Sequence, residues 1–319
     1  MAWRRAEFYF EVRGVLVRAE VLGTKLEFDR GGLRVEILIP GNAADRHWEG
    51  FGAVKPVYGG EPNGQGFAVH TVKVMVFGEG PRGQDTDASI EHLKRSFRVA
   101  ESAVADLVEW ARIHGQPWLG LHGQPVRRVG NHLLGDDSDD IADHCFSEDA
   151  LPAIDDEREP AHDARASLDS AHTSSLTREL GGGTVALPIA ETLLADALYF
   201  IGLRPPDCQR AVLIAAIACE VKVKDTLRQK VPPDRRSLVD LLLENPRDWS
   251  VAALALFDKA TDAALGRSLR TDHRQVYKDV CRLFEVRNRI AHRGEKPDET
   301  EASRVVLAGR QVFRWLDGL

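Results

Sequence analysis

The sequence has few cysteines and no long apolar run. Its 319 residues include four cysteines and no C-x-x-C pair, so neither a zinc cage nor a disulfide framework is indicated. The best apolar run, Ala211 to Cys219, is far shorter than the roughly 20 residues that span a bilayer. The first residues mix charges into the apolar ones and contain no signal-peptide core. These absences favour a cytoplasmic protein with no membrane partner.

The common nucleotide and metal motifs are absent as well. There is no G-x-G-x-x-G after a predicted strand, no P-loop and no nucleophile elbow. His, Asp and Glu residues occur at no metal-ligand spacing. No cofactor and no metal site are therefore expected. The composition, 43% hydrophobic and 29% charged, is that of an ordinary globular protein, and the length predicts two domains.

The charge is distributed unevenly along the chain. The net charge is -7, but residues 136–179 alone carry -11, and the parts before and after them carry +1 and +3. The acidic part has no sustained apolar period, so residues 136–184 are predicted to form a flexible linker. The linker would separate a domain of residues 1–135 from a domain of residues 185–319. The mildly basic last domain allows an anionic partner.

The first domain is predicted to be α+β. Three segments, beginning FYFEVRG, KLEFDRG and FAVHTVK, alternate apolar and polar residues as strands do. A helix is expected from about Ala88 to Ile113. The stretch of residues 117–134 that follows is short and rich in turn residues. These features predict a small antiparallel sheet with one covering helix. A sensor or regulatory role is an expectation for this domain.

After Gly183 the pattern becomes helical. Five or six helices are expected, which predicts an all-α bundle. The helix that starts near Pro206 is apolar all round at AVLIAAIAC, which predicts a buried central helix. The penultimate helix is expected to begin after Thr271 or Asp272 and to stop at Gly294.

The string RNRIAH at the end of the penultimate helix carries the candidate chemistry. The apolar stripe through Val280 and Leu283 continues at Arg287, and a parallel stripe through Phe284 continues at Asn288. Arg287 and Asn288 are therefore predicted to lie where the core face continues. Long polar groups on such a face need partners, which an anion, a carboxylate or a second subunit could supply.

His292 follows Asn288 by four residues, close enough for the amide to orient the imidazole. A simpler interpretation is that cationic residues before Gly294 only complement the helix dipole. The spacing alone is not specific, because Arg127 and His132 repeat it in the first domain. Their setting on one face of a helix distinguishes Asn288 and His292 from the pair Arg127 and His132.

These residues resemble the signature of the HEPN superfamily, particularly its Apea-like bacterial branch. The signature is an Arg, often followed by Asn, and a His four to six residues on, at the end of the penultimate long helix. Arg287, Asn288 and His292 match it, and Glu220 matches a frequent acidic position of the family's central helix. The resemblance covers roughly Leu187 to Leu319.

The resemblance implies metal-independent RNA cleavage by a homodimer, in which both copies contribute to one cleft, in a toxin or phage-defence effector. His292 would transfer protons and Arg287 would stabilise the transition state, while Asn288 and Glu220 support them. Arg289 and Arg293 would bind neighbouring RNA phosphates. The first domain would receive a regulatory ligand or an antitoxin.

Two alternatives stay open at this point. Many family members are non-catalytic nucleotide- or RNA-binding modules, and the bundle could also serve only for dimerisation. The surroundings of Arg287 discriminate between them. An open basic cleft would favour RNA, whereas a buried salt bridge to Glu220 or Glu285 would favour a structural role.

Overall fold

The computed structural model divides the chain into two compact units, Met1–Ala186 and Leu187–Leu319. The structure describes residues 2–41, 55–58, 65–80, 86–121, 126–134, 167–182, 187–244 and 253–319. Unit 1 contains a β-sheet with helices, and unit 2 is helical. The predicted succession of an α+β part and an all-α part is confirmed.

Among the described residues, the sheet of unit 1 has six antiparallel strands in the order β2-β3-β5-β1-β6, with β4 paired to β5. The strands are β1 (Ala2–Arg18), β2 (Lys25–Arg30), β3 (Leu33–Leu38), β4 (Lys55–Tyr58), β5 (Gln65–Gly80) and β6 (Arg127–Leu134). Strand β6 lies in the short, turn-rich stretch of residues 117–134, for which the sequence predicts no strand. Pairing with β1 stabilises the strand in the folded protein.

The long helix α1 (Thr86–Ile113) covers one face of the sheet, as predicted. Phe8 and Phe10 alternate on β1 and are fully buried, and both contact Phe97 of α1. The ring centroid of Phe97 lies 5.6 Å from that of Phe8 and 6.0 Å from that of Phe10. The strand period of two and the helix period of 3.6 thus place apolar side chains on facing surfaces.

A second helix, α2 (Ser170–Gly181), lies inside the predicted linker. The Asp169 carboxylate caps it by accepting from the backbone N–H of His172 at 2.9 Å, and Leu176 and Leu180 are buried. The prediction of a flexible linker is therefore wrong for residues 170–181. The acidic composition of the whole segment predicted a linker, although residues 170–181 form a short amphipathic helix. The apolar residues of this helix pack within unit 1. The remainder of the predicted linker, apart from residues 167–169 and 182, lies outside the described residues.

The described part of unit 2 contains five helices of nine or more residues and three short ones. The long helices are α3 (Ile189–Gly202), α4 (Cys208–Lys230), α5 (Arg236–Glu244), α9 (Arg274–Arg293) and α10 (Glu299–Asp317). The short ones are α6 (Ala253–Ala255), α7 (Thr261–Leu265) and α8 (Leu269–Asp272), with a π-helical turn at Leu256–Ala260 between α6 and α7.

Helix α4 is the centre of the bundle and contacts α3, α9 and α10. On α10, Gly309 has no side chain to keep the helices apart: a Cβ there would lie 3.4 Å from Sγ of Cys219. Burial raises the pKa of the Cys219 thiol to about 12. The helix predicted to be central is therefore central, although Ile217 on one side of it is 45% exposed. None of the described helices is long and apolar enough to cross a membrane.

Candidate functional site

The string predicted to carry chemistry lies in the last two turns of α9. Gly294 ends this helix, as predicted, with a left-handed φ of 64°. The start of α9 differs from the prediction, because α8 ends at Asp272 and His273 is the N-cap of α9. The side chain of Gln209, at the start of α4, donates to the carbonyl oxygens of Gly294 and Glu295 at 3.3 and 3.2 Å. These bonds hold the end of α9 against α4.

Arg287 is half-buried and has no carboxylate partner among the described residues. Its Nη1 donates to Oδ1 of Asn288 at 2.9 Å. The two acids considered as its partners bind elsewhere: Glu285 pairs with Arg282 at 2.9 Å and Glu220 with Lys224 at 2.5 Å. The salt bridge that would mark Arg287 as a structural residue is therefore not formed with either acid.

Asn288 and His292 are both exposed, so the prediction that Asn288 continues the buried face is wrong. Phe284, one turn earlier, is still buried at 8% exposure. In the last turns of α9 the buried face continues at Ile290, which is 7% exposed, and Asn288 lies on the accessible side. The Asn288 oxygen accepts from Arg287. No bond from Asn288 to His292 is found in the part of the chain that the structure describes. Asn288 thus positions the arginine in this structure.

The two flanking arginines differ in their surroundings. Arg289 is tied into the bundle, since its Nη1 donates to Glu295 at 3.0 Å and its Nη2 to Glu301 at 2.8 Å. Arg293 is exposed and has no ion pair within the described residues. Of the two predicted phosphate ligands, Arg293 is open to an anion, whereas Arg289 would first have to leave two carboxylates.

Glu220 lies on α4, which contacts α9. Its carboxylate accepts from Lys224 one turn later. No hydrogen bond from Glu220 to Arg287, Asn288 or His292 is found within the described residues, so its supporting role stays a prediction.

Glu301 is a residue of this region that sequence reasoning missed. It accepts from Nε and Nη2 of Arg282 as well as from Arg289. Asp298 caps α10 by accepting from the Glu301 backbone N–H at 2.8 Å. An Asp followed three residues later by a Glu is the sequence signal of a helix N-terminus, and it could have located this residue.

The electrostatic character of the site is cationic and suits an anion. Hydrogen-bond donors lie together at one helix end, on Arg287, His292 and Arg293. None of these three side chains is paired with a carboxylate in the described ranges. Arginine offers a planar fork of donors for phosphate, and a histidine can take up or release a proton near neutral pH. Within the same ranges no group of three His, Cys, Asp or Glu side chains could hold a metal.

Comparisons with family models, with curated proteins and with solved structures find no match for this chain. The role of the α9 end has therefore to be inferred from its own residues. Their geometry separates two kinds of cation: Arg282 and Arg289 are paired with carboxylates, whereas Arg287 is not.

Proposed function

We propose that unit 2 is a metal-independent endoribonuclease whose site is formed by Arg287 and His292. The observation that carries the proposal is the unpaired charge of Arg287 among the described residues, next to arginines that are paired with carboxylates. A half-buried guanidinium costs desolvation energy, so a charge left without a carboxylate is better explained by an external anion. The resemblance to the HEPN signature supports RNA as that anion.

The chemistry requires two proton transfers and one stabilised charge. The 2′-hydroxyl of the RNA loses a proton and attacks the adjacent phosphorus, and the bond from phosphorus to the 5′-oxygen breaks. The 5′-oxygen takes up a proton, leaving a 2′,3′-cyclic phosphate and a 5′-hydroxyl. His292 performs a proton transfer, and Arg287 binds the phosphoryl oxygens as negative charge accumulates on them. Asn288 holds the Arg287 guanidinium by the 2.9 Å bond.

The His292 side chain of one chain can serve only one of the two proton transfers at a time. A second copy of the chain is therefore part of the proposal. A symmetric dimer would bring two copies of His292 to one cleft. The open stripe of α4 supports such an assembly: Ile217 is 45% exposed, and Ile214 and Val221, one turn before and after it, are half-buried. Apolar side chains in a continuous stripe favour burial against a partner.

The experiment is RNA cleavage by the full chain in the presence of EDTA. Single-stranded RNA is expected to yield 2′,3′-cyclic or 3′-phosphate ends, and RNA with a 2′-deoxy at the cleaved position is expected to resist. His292→Ala removes a proton-transfer group and should slow cleavage about 10²–10⁴-fold. The matched control is His273→Ala, which removes an exposed histidine at the other end of the same helix and should leave the rate unchanged.

Two results would overturn the enzymatic proposal. RNA bound without cleavage in any buffer would identify a binding module. Equal losses of cleavage in His292→Ala and His273→Ala would show that neither histidine acts at the site.

The assembly is tested by light scattering on the same proteins. The unchanged chain should be a dimer at tens of micromolar, and Ile217→Arg should make it a monomer by placing a charge in the apolar stripe. Leu307→Arg is the control, because Leu307 is 46% exposed but lies among polar side chains of α10. A monomeric parent protein, or a dimer that Ile217→Arg leaves intact, would contradict the assignment of this face.

A further inference from the structure

A groove in unit 1 lies between the β2–β3 hairpin and α1. Its volume is about 830 Å³, and its walls include Arg30, Arg95, Arg98, Val99 and Ser102. Pockets for small molecules fall in the range of about 300–1,000 Å³. The groove is therefore large enough for a ligand the size of a nucleotide.

The tip of the hairpin is fitted closely to the helix. Gly31 and Gly32 form its two-residue turn, with left-handed φ values of 59° and 74° that L side chains rarely adopt. A Cβ on Gly31 would lie 3.6 Å from Cγ2 of Val99. Nη2 of Arg95 donates to the carbonyl oxygen of Gly31 at 2.6 Å. This contact fixes one wall of the groove against the other.

Arg30 forms a fixed cationic part of the groove. Its side chain is only 10% exposed, and its Nη2 lies 2.7 Å from Oδ2 of Asp106 and donates to Oγ of Ser102 at 2.8 Å. Its Nη1 is buried and has no hydrogen-bond partner within the described residues. A guanidinium held in this way is preorganised, so binding an anion beside it costs little side-chain entropy.

Arg95 and Arg98, one turn apart on α1, have no carboxylate partner in the described part of the chain. Arg95 binds the Gly31 carbonyl, and Nε of Arg98 donates to the carbonyl oxygen of Lys94 at 3.3 Å. Two acidic side chains lie near them on the helix. Glu91, which also lines the groove, binds Lys94 at 3.2 Å, and Glu101, three residues after Arg98, has no ion pair in the described ranges. Two exposed guanidinium groups thus face the groove with their charge uncompensated.

We propose that this groove binds a small phosphate-bearing ligand of the nucleoside phosphate class. Guanidinium forks match the geometry of phosphate oxygens, and the two arginines can share a di- or triphosphate. Val99 offers an apolar surface beside these charges for the organic part of the ligand. Glu91 and Asp106 bound the basic surface at both ends, which favours a compact anion over an extended polyanion.

Isothermal titration of the full chain with ATP, inorganic pyrophosphate and adenosine tests the proposal. ATP and pyrophosphate are expected to bind, and adenosine is expected to bind much more weakly or not at all. Arg95→Gln and Arg98→Gln should each weaken ATP binding at least about tenfold, since each removes charged hydrogen bonds to phosphate. Arg178→Gln, the same charge change at an exposed arginine of α2 that does not line the groove, should alter it less than about twofold.

A second set of variants separates this groove from the site on α9. Arg287→Ala should leave ATP binding unchanged. Arg98→Gln is the decisive groove variant, because Arg98 is exposed and makes one bond to a helix carbonyl, so the fold does not depend on it. The proposal is overturned if neither ATP nor pyrophosphate binds at millimolar concentration, or if adenosine binds as tightly as ATP. It is also overturned if Arg98→Gln binds ATP normally, or if Arg287→Ala alone abolishes binding.

Discussion

The two ends of α9 use similar residues in different ways. At its beginning, the Asp272 carboxylate accepts from Nε1 of Trp315 at 2.9 Å and pairs with Arg267 at 2.7 Å. At its end, Arg287 and His292 bind no carboxylate within the described residues. Charges paired inside the bundle contribute to folding, whereas a charge without an internal partner is available to a ligand. Position relative to the core, and not residue type, separates the two uses.

The largest expected effect is on the rate of RNA cleavage, when Arg287 and Arg267 are each replaced by alanine. Arg287→Ala should reduce RNA cleavage about 10²–10³-fold, because it removes a donor to the developing charge. It should change the free energy of unfolding by less than about 0.5 kcal/mol. Rate measurements in EDTA and urea unfolding check the two values.

Arg267→Ala should show the reverse pattern. Cleavage should stay unchanged, and the free energy of unfolding should fall by up to about 1 kcal/mol through loss of an exposed ion pair. If Arg287→Ala unfolds the bundle, the end of α9 is structural and the contrast between the two ends disappears.

The next effect concerns the hydrogen bond between α10 and the start of α9. Trp315→Phe removes the Nε1–H donor from Asp272, and Trp315 is only 6% exposed. The free energy of unfolding should fall by about 1.5–3 kcal/mol, the cost of losing a hydrogen bond to a charged group. A double-mutant cycle with Asp272→Ala checks the pairing, and additive losses would show that the two side chains do not interact.

A smaller effect should turn a paired arginine into an available one. Glu301→Gln weakens the ion pairs of Arg282 and Arg289, at a cost of about 1 kcal/mol or less. Arg289 then keeps only the ion pair with Glu295 within the described residues, so it can exchange that pair more readily for an RNA phosphate. RNA binding should therefore tighten, and the slope of log K against log salt should steepen by about one.

Asp279→Asn is the matched control for that variant. It weakens the ion pair with Arg304, elsewhere on the α9–α10 pair, so it should cost similar stability and leave RNA binding unchanged. Equal changes in RNA affinity for Glu301→Gln and Asp279→Asn would show a general charge effect.

The smallest effect is a pH dependence of stability. The hydrogen bond from Trp315, and next the pairing with Arg267, hold the pKa of Asp272 below its ordinary value of 3.8. Because the folded-state pKa is the lower one, this contribution to stability is present above pH 3.8 and is lost as the pH falls through the folded value. Asp272→Asn should flatten acid unfolding in that range. An unchanged acid transition would show that Asp272 contributes nothing there.

Much of unit 2 could be predicted from the sequence. Helix periodicity located α4 and α9 to within a few residues, and Gly294 marked the end of α9. Alternation located three strands of unit 1 in the same way. These are local patterns, and burial of one face enforces them. Strand β6 and helix α2 were missed because their stability comes from neighbours far away in the chain.

The sequence by itself determined the succession of a sheet-containing unit and a helical unit, and the position of Arg287, Asn288 and His292 at a helix end. Only the tertiary structure decided which charges are paired. Arg287 and Arg289 are two residues apart on α9. Glu295 and Glu301 bind Arg289 and not Arg287, because α10 runs back along the side of α9 on which Arg289 lies. The same holds for Arg30, which meets Asp106 through sheet and helix packing. Ion pairing depends on distances of a few ångströms between separate elements, and residue spacing does not encode them.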